Sequence, residues 1–281
     1  METMHATGKD ISIVLNDLTI CYDDHGTGDT PIIFIHGFPF NKSMWEDQLE
    51  YLKKTHRVIA YDIRGYGQSS AGEDEQCIRL FANDLLSFMD ALKIDKAIVG
   101  GFSMGGYTLL SAASRYPNRF EALILCDTQC VADSPELKEK RNETIAQINA
   151  GKINEFTETF LSSVFCPASL VTKLDSVEKA RNIILSTSPL TIAGGLAAIA
   201  QRWETCSCLN KILIPTLILC GQEDAVTPVE QSEFLHSHIQ NSKLHIIDNA
   251  GHMSNLEQTD QFNKFLGDFV QSLVKEELLD L

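Results

Sequence analysis

Residues 97–110 read AIVGGFSMGGYTLL: an apolar run, a serine enclosed by glycines, and a second apolar run. The first run has the composition of a buried strand and the second that of a helix, which places Ser103 at a sharp strand-to-helix turn. In the pattern G-x-S-x-G, formed here by Gly101 to Gly105, such a turn strains the serine backbone, and side chains at the two glycine positions would collide. The stretch therefore predicts that Ser103 is a nucleophile held out from the end of a strand.

The chain around this turn alternates apolar strands with helical patterns. Strands that are apolar on both faces are predicted at residues 31–39, 57–67, 96–102 and 121–126. Buried strands of this kind form mostly parallel sheets covered by helices on both sides. Alternating residues at 11–29 predict a hairpin ahead of them. The predicted fold class is α/β, with a mostly parallel, doubly wound sheet.

The strand signal disappears over residues 131–210. Four helical patterns, separated by glycine and proline breaks, fill this stretch. We predict an inserted helical lid over the C-terminal edge of the sheet, after which the α/β alternation resumes. The predicted organisation is a core in two parts, residues 1–130 and 211–281, with the lid between them.

A base is needed because a serine hydroxyl is a poor nucleophile until its proton is removed. His252 stands in DNAGHMSN, a loop that follows the predicted strand KLHIID. Open α/β sheets carry their sites at the C-terminal ends of their strands. His252 is therefore the predicted base.

An acid that orients the histidine should also follow a strand, and two aspartates do so. Asp224 follows LILCGQE, and Asp127 follows ALILC. Either one preserves the chain order of serine, acid and histidine. We favour Asp224 by strand position and because Thr227 and Pro228 close its turn, and Asp127 stays the alternative.

Two backbone amides are candidates for stabilising a developing oxyanion. The amide of Met104 lies at a predicted helix N-terminus, directly after the serine. The loop HGFP follows the strand at 31–39 and offers the amide of Phe38, since Pro39 has no N–H. We expect His36 to brace this loop by hydrogen bonds.

Apolar residues of the loops and lid form a possible substrate pocket. At helical spacing these residues could equally pack the lid against the core. The pocket candidates are Phe38, Phe102, Phe156, Phe160, Ile192 and Leu196.

The composition limits the kinds of molecule that this protein is expected to bind. A formal charge of −15 disfavours binding to nucleic acid or to anionic membranes. We expect a cytoplasmic protein because neither a signal peptide nor a membrane-spanning run is visible, and we therefore expect its eight cysteines to be free thiols. Cys206 and Cys208 lack further ligands at metal-binding spacing. No metal and no cofactor are predicted, and the sequence carries no signal for an oligomeric state.

Five segments together resemble one family. HGFP, YDIRGYGQSS, GFSMGG, GQEDAVTP and AGHMSNLE occur in that order within residues 31–257. The combination is similar to the α/β-hydrolase fold superfamily, in its serine hydrolase branch. That resemblance implies a sheet of about eight strands, bracing roles for Asp62 and Arg64, and carboxylic ester hydrolysis without a cofactor. A serine at position 103 argues against the haloalkane dehalogenases, which carry aspartate there.

The resemblance leaves three functions open. Carboxylesterases and 3-oxoadipate enol-lactonases imply a small ester or lactone substrate, hydrolysed by Ser103, His252 and Asp224 through an acyl-enzyme. Cofactor-free haloperoxidases imply perhydrolysis at the same site. Some members of the family instead act as small-molecule receptors, for which an altered triad would be the signal, and these residues are unaltered.

Overall fold

One eight-stranded sheet organises the chain. The computed structural model describes residues 7–15 and 18–277, with side chains described to residue 273. The strands of this described part are β1 (Gly8–Leu15), β2 (Leu18–His25), β3 (Ile32–Ile35), β4 (Val58–Tyr61), β5 (Ala97–Phe102), β6 (Phe120–Cys126), β7 (Thr216–Gly221) and β8 (Ser242–Ile247). Their order in the sheet is β1-β2-β4-β3-β5-β6-β7-β8. β1 and β2 form the predicted antiparallel hairpin, and β3 to β8 are parallel, which confirms the predicted α/β sheet.

Helices flank this sheet and fill the connection between β6 and β7. They are α1 (Glu46–Leu52), α2 (Ile78–Ala91), α3 (Met104–Arg115), α4 (Pro135–Asn149), α5 (Ile153–Val164), α6 (Ser169–Thr172), α7 (Leu174–Ser186), α8 (Pro189–Ala200), α9 (Val229–His238), α10 (Ser254–Glu257) and α11 (Thr259–Glu277). Every residue of β3, β4, β5 and β7 is buried. These strands can therefore be apolar on both faces, as parallel strands between helix layers are.

The segment between β6 and β7 holds α4 to α8 and no strand. α4 and α8 each begin at a Ser-Pro pair, where the hydroxyls of Ser134 and Ser188 accept hydrogen bonds from the amides of Leu137 and Thr191. The third predicted helix is divided, because the backbone of Lys173 (φ −115°, ψ 46°) leaves the helical region between α6 and α7. No single helix of the described residues is long and apolar enough to cross a membrane; α7 and α8 together have the length and composition, but they are bent by 99°.

The two ends of this helical segment are joined by a disulfide between Cys130 and Cys206, with their Cα atoms 4.9 Å apart. The amide of Thr205 also donates to the carbonyl of Cys130 at 2.8 Å. The expectation of free thiols is therefore wrong for this pair, because folding brings together residues that lie 76 positions apart. Cys126 and Cys220 are buried free thiols, as predicted.

Candidate active site

Ser103 lies between β5 and α3 in a conformation that residues other than glycine rarely adopt, with φ 51° and ψ −114°. A backbone in this region costs on the order of 1–3 kcal/mol and persists only where its surroundings impose it. A Cβ at Gly101 would lie 2.4 Å from the carbonyl oxygen of Gly105, and one at Gly105 would lie 2.4 Å from that of Ile35. Close backbone contact therefore requires both glycines, which is the steric demand expected from the sequence.

The side chains of Ser103, His252 and Asp224 form one continuous hydrogen-bonded chain. His252 Nε2 lies 2.9 Å from Ser103 Oγ, and its Nδ1 lies 2.8 Å from Asp224 Oδ2. His252 is 2% exposed and Ser103 is 8% exposed. The residues come from the C-terminal ends of β5, β7 and β8, three strands that the sheet brings to one edge.

The carboxylate of Asp224 is held in a single orientation. Its Oδ1 accepts from the amides of Val226 and Thr227, and its Oδ2 accepts from the hydroxyl of Thr227. Burial opposes ionisation, but the charge of His252 and the hydrogen bonds from His252 and Thr227 outweigh burial, so the pKa of Asp224 lies below its ordinary value. An ionised Asp224 accepts from Nδ1–H, which leaves Nε2 free to accept the proton of Ser103.

Asp127, the alternative acid, lies at the end of β6 beside this chain. It accepts a hydrogen bond from the amide of Gly221 and one from the hydroxyl of Ser254, but none from His252 within the described part of the protein. Complete burial, together with the charge of Asp224, raises the pKa of Asp127 well above its ordinary value. Asp127 thus ties the loop before Asp224 to the loop after His252 and leaves the histidine to Asp224.

The same three side chains also have the spacing of a metal site. One ligand atom from each of Asp127, Asp224 and His252 lies within 4.8 Å of the others. A cation bound here would have to displace the 2.8 Å contact between Asp224 and His252 and compete with the hydrogen bonds already made to both carboxylates. The donor set therefore fits a hydrogen-bonded acid and base better than it fits a metal.

Two backbone amides next to Ser103 are without an acceptor. Within residues 7–15 and 18–277, neither the amide of Phe38 nor that of Met104 donates a hydrogen bond to the protein. His36 braces the loop of Phe38 as expected: its Nε2 accepts from the amide of Ile63 and its Nδ1 contacts the carbonyl of Gly37, both at 2.9 Å. Uncommitted amides at a helix N-terminus and in a braced loop can receive negative charge on a ligand oxygen.

A cleft of about 280 Å³ opens between the Phe38 loop, α4, α5 and α8; Phe38 lines it, but Ser103, Asp224 and His252 do not. Of the pocket candidates, Phe38, Phe156, Phe160 and Leu196 line it, and the rings of Phe38 and Phe160 meet edge to face with centroids 5.9 Å apart.

Phe102 and Ile192 do not line this cleft. Both are 0% exposed, and the ring of Phe102 instead packs on the imidazole of His252 with centroids 5.0 Å apart. The spacing of apolar residues along a helix or strand does not show whether a given residue lines a cleft or packs in the core. The sequence could therefore not exclude Phe102 and Ile192 from the cleft.

Two further residues position the histidine loop: Thr227, which the sequence places at the turn of Asp224, and Glu257, which sequence reasoning did not single out. Thr227 Oγ1 donates to Asp224 and lies 3.4 Å from His252 Nδ1. Glu257 is 0% exposed and accepts from the amides of Gly251 and Cys166, so it links the histidine loop to the segment after α5. The NLE that ends the last quoted segment was the available signal for Glu257, but its partner Cys166 lies 91 positions away in the chain.

Comparison with known proteins places this geometry in a family. The family model described as the α/β-hydrolase fold matches residues 30–259, a span that includes the sheet from β3 onward, the helical segment and the hydrogen-bonded chain of side chains. The protein belongs to the α/β-hydrolase fold family. Bracing by Asp62, which accepts from the amides of Lys42 and Gln68, and by Arg64, which pairs with Asp84, agrees with the family resemblance.

The proteins that this chain resembles include an enol-lactonase, an esterase and a bromoperoxidase. The chain is 30% identical over 253 residues to 3-oxoadipate enol-lactonase 2 of Acinetobacter baylyi, covering 90% of this chain and 93% of that protein. It is similar in structure to a thermophilic esterase from Thermogutta terrifontis, with a TM-score of 0.89, 31% identity, and coverage of 94% and 98%. It is also similar in structure to a bromoperoxidase from Bacillus anthracis, with a TM-score of 0.83, 27% identity, and coverage of 93% and 99%.

Proposed function

We propose that this α/β-hydrolase cleaves a small carboxylic ester or lactone through an acyl-enzyme formed on Ser103. The chain is an ester hydrolase by family, and the esterase and enol-lactonase among its relatives support that class. The observation that carries the mechanism is the hydrogen-bonded chain from Ser103 Oγ through His252 to Asp224, beside two amides that have no acceptor among the described residues.

The residues of the site have distinct roles in the proposed reaction. Ser103 Oγ attacks the substrate carbonyl carbon while His252 Nε2 takes the hydroxyl proton, and the carbonyl oxygen becomes an oxyanion between the amides of Phe38 and Met104. The C–O bond to the leaving alcohol breaks as His252 returns the proton to it. Asp224 keeps Nδ1 protonated and stabilises the imidazolium. A water molecule then attacks the acyl-enzyme while His252 takes its proton, and His252 gives this proton to Ser103 Oγ as the acyl–oxygen bond breaks, which releases the carboxylic acid and free Ser103.

The cleft favours a small substrate with an apolar body. Aromatic rings of Phe38, Phe156 and Phe160 line it, and its volume of about 280 Å³ suits a short acyl chain or a lactone ring. Arg141 at its wall is paired with Asp133, whereas two exposed residues of the lining, Lys140 and Glu155, form no ion pair within the described residues. We propose that the substrate carries a carboxylate away from its reacting carbonyl, toward Lys140 and away from Glu155.

Perhydrolysis is a second candidate reaction at the same site, favoured by the similarity to a bromoperoxidase. Hydrogen peroxide would replace water as the attacking group on the acyl-enzyme, and the product would be a peracid instead of an acid. Assaying peracid formation from an ester in the presence of peroxide separates the two outcomes, because both require Ser103 but only one consumes peroxide.

The decisive test is covalent labelling with a fluorophosphonate, read by intact mass. Wild type should gain one adduct, and Ser103→Ala should gain none while it keeps the circular dichroism of a folded protein. Ser114→Ala, which removes a hydroxyl from the other end of the same helix, is the matched control and should label like wild type. Labelling that persists in Ser103→Ala, or a folded wild type that does not label, would overturn the proposal.

A further inference from the structure

A second cavity, of about 500 Å³, lies apart from the cleft at Phe38. Residues from the start of α2, from α3 and from the segment that follows α8 line it; it shares no lining residue with the cleft at Phe38, and neither Phe38 nor any of Ser103, Asp224 and His252 lines it. Its volume is within the range of small-molecule sites. It is therefore a candidate binding site that the hydrolytic reaction does not use.

The charges around this cavity differ from those of the rest of the protein. Six of the eight arginines of the chain form ion pairs with carboxylates. Arg79 and Arg115 are the two that form none within the described residues, and both line the cavity. Burial lowers the pKa of Arg115, and the like charge of Arg79 lowers it further. The guanidinium of Arg115 donates to neutral oxygens of Ser111, Asn83 and the Arg79 backbone, so its charge is not neutralised by these contacts. In a chain of charge −15, two neighbouring arginines that pair with no carboxylate among the described residues favour binding of an anion.

The floor of the cavity holds a third guanidinium. Arg202 is 5% exposed and its guanidinium carbon lies 4.4 Å from the ring centre of Tyr107. Its Nε and Nη1 donate to the carbonyl of Val131 and to Asp133. Its Nη2 is buried without a hydrogen-bond acceptor in the described part of the chain, so this arginine also retains unused donors beside the cavity.

An aromatic surface is exposed at the same place. Trp203 lines the cavity and is 90% exposed, whereas the other tryptophan, Trp45, is fully buried. An indole in this position offers a planar face for stacking. Among the described residues, Glu204 is the one carboxylate on the lining, and it already accepts hydrogen bonds from the amide and hydroxyl of Ser207.

We propose that this cavity binds an aromatic anion, with its ring stacked on Trp203 and its carboxylate or phosphate between Arg79 and Arg115. The guanidinium pair supplies the charge recognition, because arginine binds both anionic groups in a bidentate manner. The ring supplies the apolar contact that inorganic anions lack.

Calorimetric titration of the intact protein tests this site with matched probes. AMP and 1-naphthoate carry the two anionic groups, adenosine and 1-naphthamide are their neutral counterparts, and inorganic phosphate lacks the ring. At least one of the two aromatic anions should bind with a Kd below about 1 mM, and its neutral counterpart at least about tenfold more weakly. Binding of AMP alone identifies the phosphate class and binding of naphthoate alone the carboxylate class.

Variants decide whether binding occurs at this place. Arg79→Gln and Arg115→Gln should each weaken binding at least about tenfold, and Trp203→Ala should also weaken it. Arg181→Gln, which removes the same charge from α7, is the matched control and should bind like wild type. Arg79 is exposed and its side chain makes no hydrogen bond in the described residues, so its loss should leave the fold intact.

Several results would overturn the proposal. They are no binding of either aromatic anion, equal binding of the anions and their neutral counterparts, and arginine variants that behave like Arg181→Gln. Phosphate binding as tightly as AMP would likewise remove the role of the ring. Ser103→Ala should bind the probes like wild type, so failure of this site and failure of the hydrolytic mechanism are separate outcomes.

Discussion

Acid should destabilise this protein through His36, the histidine that braces the loop of Phe38. The side chain is 0% exposed, and burial lowers its pKa from 6.5 to about 4. Its Nε2 accepts from the amide of Ile63, so the native state holds the neutral ring. Protonation would remove that acceptor and place a charge in the core.

The sign and size of the effect follow from proton linkage. Between the two pKa values the unfolded chain binds a proton at this residue that the native chain does not bind, so stability is present above pH 6.5 and is lost as the pH falls toward 4. The full difference corresponds to roughly 3 kcal/mol. Between about pH 7 and about pH 5, His36 should account for a loss of about 2 kcal/mol in the free energy of unfolding.

Urea unfolding at these two pH values measures the loss. His36→Gln should be less stable at neutral pH, but its free energy of unfolding should fall by about 2 kcal/mol less than that of wild type on acidification. His238→Gln removes an exposed histidine on α9 and should fall as wild type does. If His36→Gln and wild type lose the same free energy between the two pH values, the buried ring is not the linked group and the reasoning fails.

Three further outcomes follow from the structure. Asp224→Asn should lower kcat on an activated ester by about 10⁴-fold and Asp127→Asn by less than about tenfold, since only the former contacts His252; equal losses would contradict this assignment. Lys140→Gln should raise KM at least about fivefold for a carboxylate-bearing ester and leave a neutral ester unchanged, and a uniform change would argue against charge recognition. Reducing the Cys130–Cys206 disulfide should lower the free energy of unfolding by about 4 kcal/mol in chemical denaturation; an unchanged midpoint would contradict that.

Local sequence was sufficient for the serine turn because its requirement is steric and short-range. The glycines flanking Ser103 are required because the backbone lies close to them within a few residues and in the adjacent strand β3. A requirement of this kind is recognisable from a five-residue motif. The sheet was predictable for a related reason: strands buried on both faces must be apolar throughout. The parallel strands follow from that pattern, and the hairpin follows from the alternation of apolar and polar residues ahead of them.

Long-range pairings could not be decided from the sequence. Strand position and the turn closed by Thr227 favoured Asp224, but Asp127 follows an adjacent strand and stayed an alternative, and only the packing of side chains shows that His252 contacts Asp224. The same holds for Cys130 and Cys206, whose pairing depends on where the chain returns after 76 residues. It also holds for Phe102, whose strand position gives no sign that its ring packs against His252.

The short distance between Cys130 and Cys206 has a consequence for how this protein could diversify. A segment that leaves the core and returns within 4.9 Å can be lengthened, shortened or exchanged without changing the spacing of β6 and β7. Exchange of such a segment resembles replacing a surface loop whose ends are fixed, which folded proteins tolerate well. Grafting the helices of a relative between these two cysteines would therefore transplant a new cleft onto an unaltered sheet, and the chain is suited to recombination at that junction.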